Sequence, residues 1–216
     1  MAMTKNPAPV TIRSQIALPL ENGQAPSLIT FTGFANHAQH FVLRFGADSP
    51  DPVPLVRVHS ECITGDLFRS QRYDCGPQLE QAKAMIAAEG GFIVYLRQEG
   101  RGIGLYAKVD AYRLQDQGLD TFAANEHLSL PRDGRDFACA AHMLQALGVR
   151  RLRLITNNPD KVRQLVDAGL DVAEVLPTAT FHTAHNQRYL SAKALIARHR
   201  LDVRPAAHQP ELAVAS

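Results

Sequence analysis

The stretch Phe92-Ile93-Val94-Tyr95-Leu96 restricts the fold more than any other. These consecutive apolar and aromatic side chains leave no polar face to turn toward water. Such a strand is buried on both sides, so helices must cover both faces of its sheet. Gly90-Gly91 ends the helix before it, and Arg97 opens a glycine-rich loop, R-Q-E-G-R-G-I-G-L (97–105). A loop leaving the end of a buried strand lies where α/β proteins bind ligands.

The neighbouring segments extend this pattern. Pro77 starts a helix with Leu79, Ala82, Met85 and Ile86 on one face. A second helix is expected over Ile103–Gln117, with Tyr106, Val109, Ala111 and Tyr112 near one another and Gly118 as its stop. Residues 119–134 read as a loop. Helix Arg135–Leu147, strand Arg151–Ile155, a helix capped by Asn and opened by Pro159, strand Leu170–Val175 and helix Asn186–Arg200 complete the chain. Before the central strand, Ile12–Leu20, Leu28–Phe34 and Phe41–Phe45 read as closely spaced strands, with Asn22-Gly23 and Ala47-Asp48-Ser49-Pro50 as turns. Leu55–His59 is a further strand. The expected fold is α/β in the mixed α+β sense, a mixed sheet flanked by helices behind a β-rich N-terminal segment. One unit covers 12–200, between tails at 1–11 and 201–216.

Composition excludes some roles. With 45% hydrophobic and 20% charged residues the chain has the balance of a globular protein. A net charge of +2 does not suggest nucleic-acid binding. No apolar run approaches the roughly 20 residues of a membrane span, and M-A-M-T-K-N-P-A-P lacks the apolar core of a signal peptide. Three cysteines at irregular spacing make no disulfide framework, so a reduced, cytoplasmic setting is expected.

Candidate chemistry gathers in a few strings. R-V-H-S-E-C-I-T-G-D-L-F-R-S-Q-R-Y-D-C-G (57–76) carries Cys62 and Cys75 among charges and glycines. Thiolates bind zinc, and a catalytic zinc uses about three protein ligands; two unligated thiols are the plainer alternative. Cys139 sits on an apolar helix face and reads as core. Arg97, Glu99 and Arg101 suit a phosphate or carboxylate partner, or form a solvated loop paired within itself. T-N-N-P-D-K (156–161) opens a helix whose N–H groups favour an anion, with Lys161 adding charge; a simple Asn cap is the alternative. Asp133-Gly134-Arg135 brings a carboxylate and a guanidinium together, or only starts a helix.

Taken together, R-V-H-S-E-C-I-T-G-D (57–66), D-C-G-P-Q-L-E (74–80), R-Q-E-G-R-G-I-G-L (97–105), A-Y-R-L-Q-D-Q-G-L-D-T (111–121), R-D-G-R-D-F (132–137) and L-I-T-N-N-P-D-K (154–161) resemble the GTP cyclohydrolase II family. The resemblance runs from Ile12 to Arg200. It implies opening of the imidazole ring of GTP with release of formate and pyrophosphate, in the riboflavin pathway. It implies that Arg57, Val58, His59, Ser60, Glu61, Gln78, Glu99, Gly100, Arg101, Thr121, Thr156 and Lys161 contact the nucleotide. Asp133 matches a general base, Arg135 a residue acting at the α-phosphate, and Tyr112 a tyrosine near the purine. Glu99 would accept two guanine N–H groups, which adenine cannot offer. Magnesium is implied with the triphosphate, and members are commonly homodimers.

The family's zinc ligands are three cysteines spaced Cys-x10-Cys-x-Cys. Here Cys62 and Cys75 match, but Tyr73 occupies the middle position. Zinc could be completed by the Tyr73 phenolate, by His59 or an Asp, or by water. The site could instead be weakened or empty. If it is empty, the α-phosphate chemistry can still release pyrophosphate and give GMP. A related enzyme of another pathway, or a purine-nucleotide-binding protein without turnover, would fit the same residues.

Overall fold

A computed structural model describes residues 9–34, 38–46, 52–131, 133–183, 186 and 190. The strands are β1 (Thr11–Ala17), β2 (Ser27–Thr32), β3 (Phe41–Phe45), β4 (Leu55–Ser60), β5 (Gly91–Leu96), β6 (Arg151–Ile155) and β7 (Asp171–Leu176). They form one sheet in the order β1-β2-β3-β5-β4-β6-β7. The first three strands and β5 pair antiparallel, while β5, β4, β6 and β7 run parallel. The expected mixed sheet with a β-rich N-terminal part is therefore present, and β5 lies inside it, between β3 and β4.

Helices cover both faces. They are α1 (Ile63–Asp66), α2 (Cys75–Glu89), α3 (Leu105–Asp116), α4 (Thr121–His127), α5 (Ala138–Ala146) and α6 (Pro159–Asp167). On one face Val56, Val58, Phe92, Val94 and Leu154 pack with Phe137, Ala140, Met143, Leu144 and Leu165 of the α5–α6 layer. On the other, Leu55, Ile93 and Ile155 pack with Ala82 and Ile86 of α2. Each fully buried Leu, Ile or Phe contributes about 1.5–3 kcal/mol, and the β4–β5–β6 centre holds many of them. That makes it a rigid base for the loops at its edge.

Several expectations change. The stretch 119–134 is not all loop: Asp120 accepts the Ala123 N–H at 3.0 Å and starts α4. The stretch holds no hydrophobic period long enough to announce a seven-residue helix. The single turn α1 was also not foreseen. In α3 the inward residues are Lys108 and Ala111, whereas Tyr106 is 87% exposed and Val109 47%. Cys139 is only partly buried; it packs against the core but donates its thiol to the Asp136 carbonyl at 3.3 Å. The tail 1–8, the turn 47–50, the tail 201–216 and the C-terminal helix except Asn186 and Leu190 lie outside the described residues.

Candidate active site

Three parallel strands end at the same edge, and each delivers a loop there. Ser60 at the end of β4 pairs with Leu96 at the end of β5, and β6 lies parallel on the other side of β4. Beyond them come Glu61–Asp66, Gln98–Gly104 and Thr156–Asn158. The 133–135 segment joins through the Gly134 N–H, which donates to the Arg101 carbonyl at 3.0 Å. The result is two adjoining cavities that share Ser60, Cys75 and Arg135 in their walls.

The first cavity, of about 60 Å³, is bounded by Arg57, His59, Gln78, Thr156, Asn158 and Lys161 as well as the shared residues. Asn158 caps α6 by accepting the Asp160 N–H at 2.9 Å, and Pro159 follows. Asn157 fixes the loop by donating to the carbonyl and hydroxyl of Thr178, each at 2.8 Å. Lys161 Nζ donates to the Val58 carbonyl at 2.6 Å, and Thr156 Oγ1 accepts the Asn158 N–H at 3.0 Å. Arg57 donates to the Ile155 carbonyl and to Gln78 Oε1, while its buried Nε has no partner. A helix N-terminus beside two buried cations has the electrostatic make-up that favours an anion. Val58 itself contributes only that carbonyl, because its side chain is in the core.

Beneath this cavity His59 Nε2 donates to Asp66 at 3.1 Å. Burial pushes His59 below its usual 6.5, so the ring is neutral at neutral pH. Burial raises Asp66, but bonds from His59, Tyr95 (2.7 Å) and the Cys62 N–H (3.0 Å) outweigh it and hold the carboxyl low.

The second cavity, of about 80 Å³, is bounded by Glu61, Cys62, Tyr73, Arg101, Lys108 and Gln115 along with the shared residues. Lys108, absent from the sequence reading, is its centre. The residue is 5% exposed, and its ammonium donates to Glu99 Oε1 at 2.7 Å and to Cys62 Sγ at 3.2 Å and faces the rings of Tyr73 and Tyr112. The Cys75 thiol hydrogen-bonds the same sulfur. That bond, opposed by burial and helped by Lys108 and Thr64, takes the Cys62 thiol down to about 6. Lys108, Ala111, Tyr112 and Gln115 form an i, i+3, i+4, i+7 stripe, the signal that could have revealed them.

Glu99, expected to read the base, is already engaged in this structure. It is 6% exposed, and besides Lys108 its carboxylate accepts the Gly100 and Ile63 N–H groups, each at 2.7 Å. It ties the second loop to α1, while Gly100 and Arg101 beside it hold left-handed backbone with φ of 60°. Tyr112 bonds Thr64 through its hydroxyl at 3.1 Å. Glu61 pairs with Arg97 at 2.8 Å and remains in the cavity wall. Asp133 grips Arg135 side-on through Nε and Nη2 and also accepts the Arg135 N–H. Burial raises the Asp133 carboxyl, but those bonds and the Arg135 charge bring it below the usual range. Thr121 begins α4, and its side chain lies outside the described residues.

The donors around Cys62, Tyr73 and Cys75 do not fit zinc. The Tyr73 hydroxyl faces the Gln115 amide at 3.3 Å, and burial raises its pKa, the reverse of what a phenolate ligand needs. His59 has committed Nε2 to Asp66 and keeps its buried Nδ1, which makes no hydrogen bond among the described residues, as its one free ring donor. Lys108 already places a cation on Cys62. Among the described residues no three His, Cys, Asp or Glu side chains converge as a metal site.

A family model described as GTP cyclohydrolase II matches residues 11–177. The chain is 50% identical over 175 residues to a protein named GTP cyclohydrolase-2 from Vibrio cholerae serotype O1, covering 81% of this chain and 88% of that one. A protein of the same name from Psychromonas ingrahamii is 48% identical over 193 residues, covering 88% and 96%. One from Neisseria gonorrhoeae is 49% identical over 180 residues, covering 82% and 89%.

Proposed function

The chain belongs to the GTP cyclohydrolase II family and is a hydrolase, and from that premise we propose that it binds GTP across the two cavities and releases pyrophosphate from it. The triphosphate lies against Arg57, Lys161 and the α6 N-terminus, where buried cations and the helix dipole favour an anion. The base takes the side bounded by Arg101, Tyr73 and Glu61. Two carboxylates lie beside it, Glu61 paired with Arg97 and Glu99 paired with Lys108, and either would share its oxygens with guanine N1–H and N2–H.

The observation that carries the chemistry is Arg135, held side-on by Asp133 in the wall shared by both cavities. An arriving α-phosphate takes the guanidinium, and the carboxylate loses the charge that holds its pKa down. Asp133 then accepts a proton from the attacking water, the Pα–O bond to pyrophosphate breaks, and GMP remains. Magnesium enters as counter-ion of the triphosphate; the residues bounding the phosphate cavity include no carboxylate to hold it. Zinc would supply a hydroxide for attack at C8 in the family's ring opening, but no step is drawn through it because its donors do not fit.

Identity near 50% to proteins named GTP cyclohydrolase-2 favours a second reading, in which C8 is opened as well. Incubating the purified chain with GTP and measuring both products separates them. Pyrophosphate with GMP supports the first reading, and formate equal to pyrophosphate the second. Neither product would leave a binding protein without turnover. Assembly into homodimers is part of the proposal, supported by the edge strand β1, which is exposed along its whole length with Ile12 and Ile16 open to solvent. No helix among the described residues is long and apolar enough to cross a membrane.

A further inference from the structure

We propose that the groove over the N-terminal strands is a second ligand site, one that takes a flat aromatic anion and engages it through Arg13 and Arg97. Strand register builds it. Leu28 pairs with Leu43 and Thr30 with Phe41, so these four side chains share one face of the sheet. Ile93 pairs with Leu43 on that face, and α2 covers it there. Toward β2 the face opens into a groove of about 820 Å³, bounded also by Phe34 and His40. The groove shares no wall residue with the two cavities of the candidate active site. Its volume lies in the range of roughly 300–1,000 Å³ of small-molecule sites, which combine apolar walls with a few polar groups.

The walls set the chemistry of the ligand. Leu28, Phe34, Phe41 and Leu43 give apolar and aromatic surface for a flat ring. Arg13 and Arg97 supply positive charge, and no carboxylate is among the bounding residues. Arg13 is exposed on β1 and makes no ion pair among the described residues. His40 Nδ1 accepts the Arg97 N–H at 2.9 Å, so the neutral ring carries its proton on Nε2. Two guanidinium groups beside an apolar floor suit an aromatic ring that bears a phosphate or a carboxylate.

Arg97 also links the groove to the active-site cleft. Its Nε pairs with Glu61 Oε1 at 2.8 Å, and Glu61 walls the cavity assigned to the base. An anion in the groove draws the guanidinium from Glu61, whose oxygens then go to guanine N1–H and N2–H. Ligand and nucleotide each raise the other's affinity by the same factor. This coupling rests on the reading that a guanine nucleotide occupies the cleft; the groove itself does not.

The full-length chain is titrated by calorimetry with naphthyl phosphate, naphthoate and naphthol. The expected result is saturable binding of the anions, with the naphthol at least about tenfold weaker, the loss of a charge-assisted hydrogen bond. The tighter of the two anions identifies the acid group. Arg13→Ala and Arg97→Ala each weaken the tighter anion by about tenfold. Both side chains reach solvent, Arg97 at 43% exposure, so the fold is kept. Glu61→Gln releases Arg97 and tightens the anion about fivefold, whereas Lys161→Ala, in the phosphate cavity, leaves it unchanged. Naphthol binding as tightly as the anions overturns the proposal. So does an affinity that Lys161→Ala lowers and Arg13→Ala does not. Added GMP tightens the anion about fivefold, and GMP that binds without this change overturns the coupling. GMP that fails to bind defeats the nucleotide reading and leaves the groove and its arginines standing.

Discussion

The two halves of the cleft lie at the ends of the same strands but are built differently. On the phosphate side, Lys161 donates to a carbonyl and Arg57 to a carbonyl and an amide, while the Asp74 and Asp66 carboxylates act on Arg57 through charge alone. On the cysteine side, Lys108, Glu99 and Cys62 neutralise one another in a buried cluster. Its charges are already paired. The first half is poised to receive charge from a ligand; the second is closed on charge of its own.

Arg135, which borders both halves, gives the largest test. Arg135→Ala should lower kcat/KM for pyrophosphate release by about 10²–10³-fold. The larger share should fall on kcat, because the contact is made at the reacting phosphate. An effect confined to KM would return Arg135 to simple binding.

Lys108→Ala strikes the other half. It leaves Glu99 buried without its cation, a loss of about 3–5 kcal/mol. At about 2–4 °C per kcal/mol the melting temperature falls by about 6–20 °C, and an unchanged melt would break the comparison. The matching Lys161→Ala removes a cation that faces a carbonyl, and its melting loss should be smaller.

The pH dependence follows from the network beneath the phosphate side. His59 and Asp66 both have folded values below their unfolded ones. The unfolded chain therefore binds more protons, and their contribution is complete above the unfolded values. Their share of the thermal stability should be complete above pH 6.5 and decline as His59 titrates in the unfolded state below it, then further as Asp66 protonates, added to a loss that begins near pH 9.0 as the unfolded Cys62 thiol takes up its proton. His59→Gln should remove the step just below pH 6.5. Asn158→Ala is the mildest change: losing the cap costs about 1 kcal/mol and weakens triphosphate binding slightly.

The halves also differ in how far the sequence disclosed them. The β4–β5–β6 core followed from apolar runs such as Phe92–Leu96, and the α6 start from Asn158-Pro159, because caps and buried strands are local features. The cysteine side was only partly legible. Tyr73 could be read as an exchanged ligand, but the direction of its hydroxyl toward Gln115, forty-two residues on, could not. Lys108 carries no local signal of its own, and only the helix stripe puts it beside Cys62 and Glu99. The contacts of Glu99 were hidden for the same reason: its partners Ile63 and Lys108 come from other elements.

The central claim is that this chain acts on the phosphate side without the zinc step. The direct test is to measure pyrophosphate and formate together from GTP with the purified protein. The account predicts pyrophosphate and GMP with no matching formate. Formate released in step with pyrophosphate would contradict it.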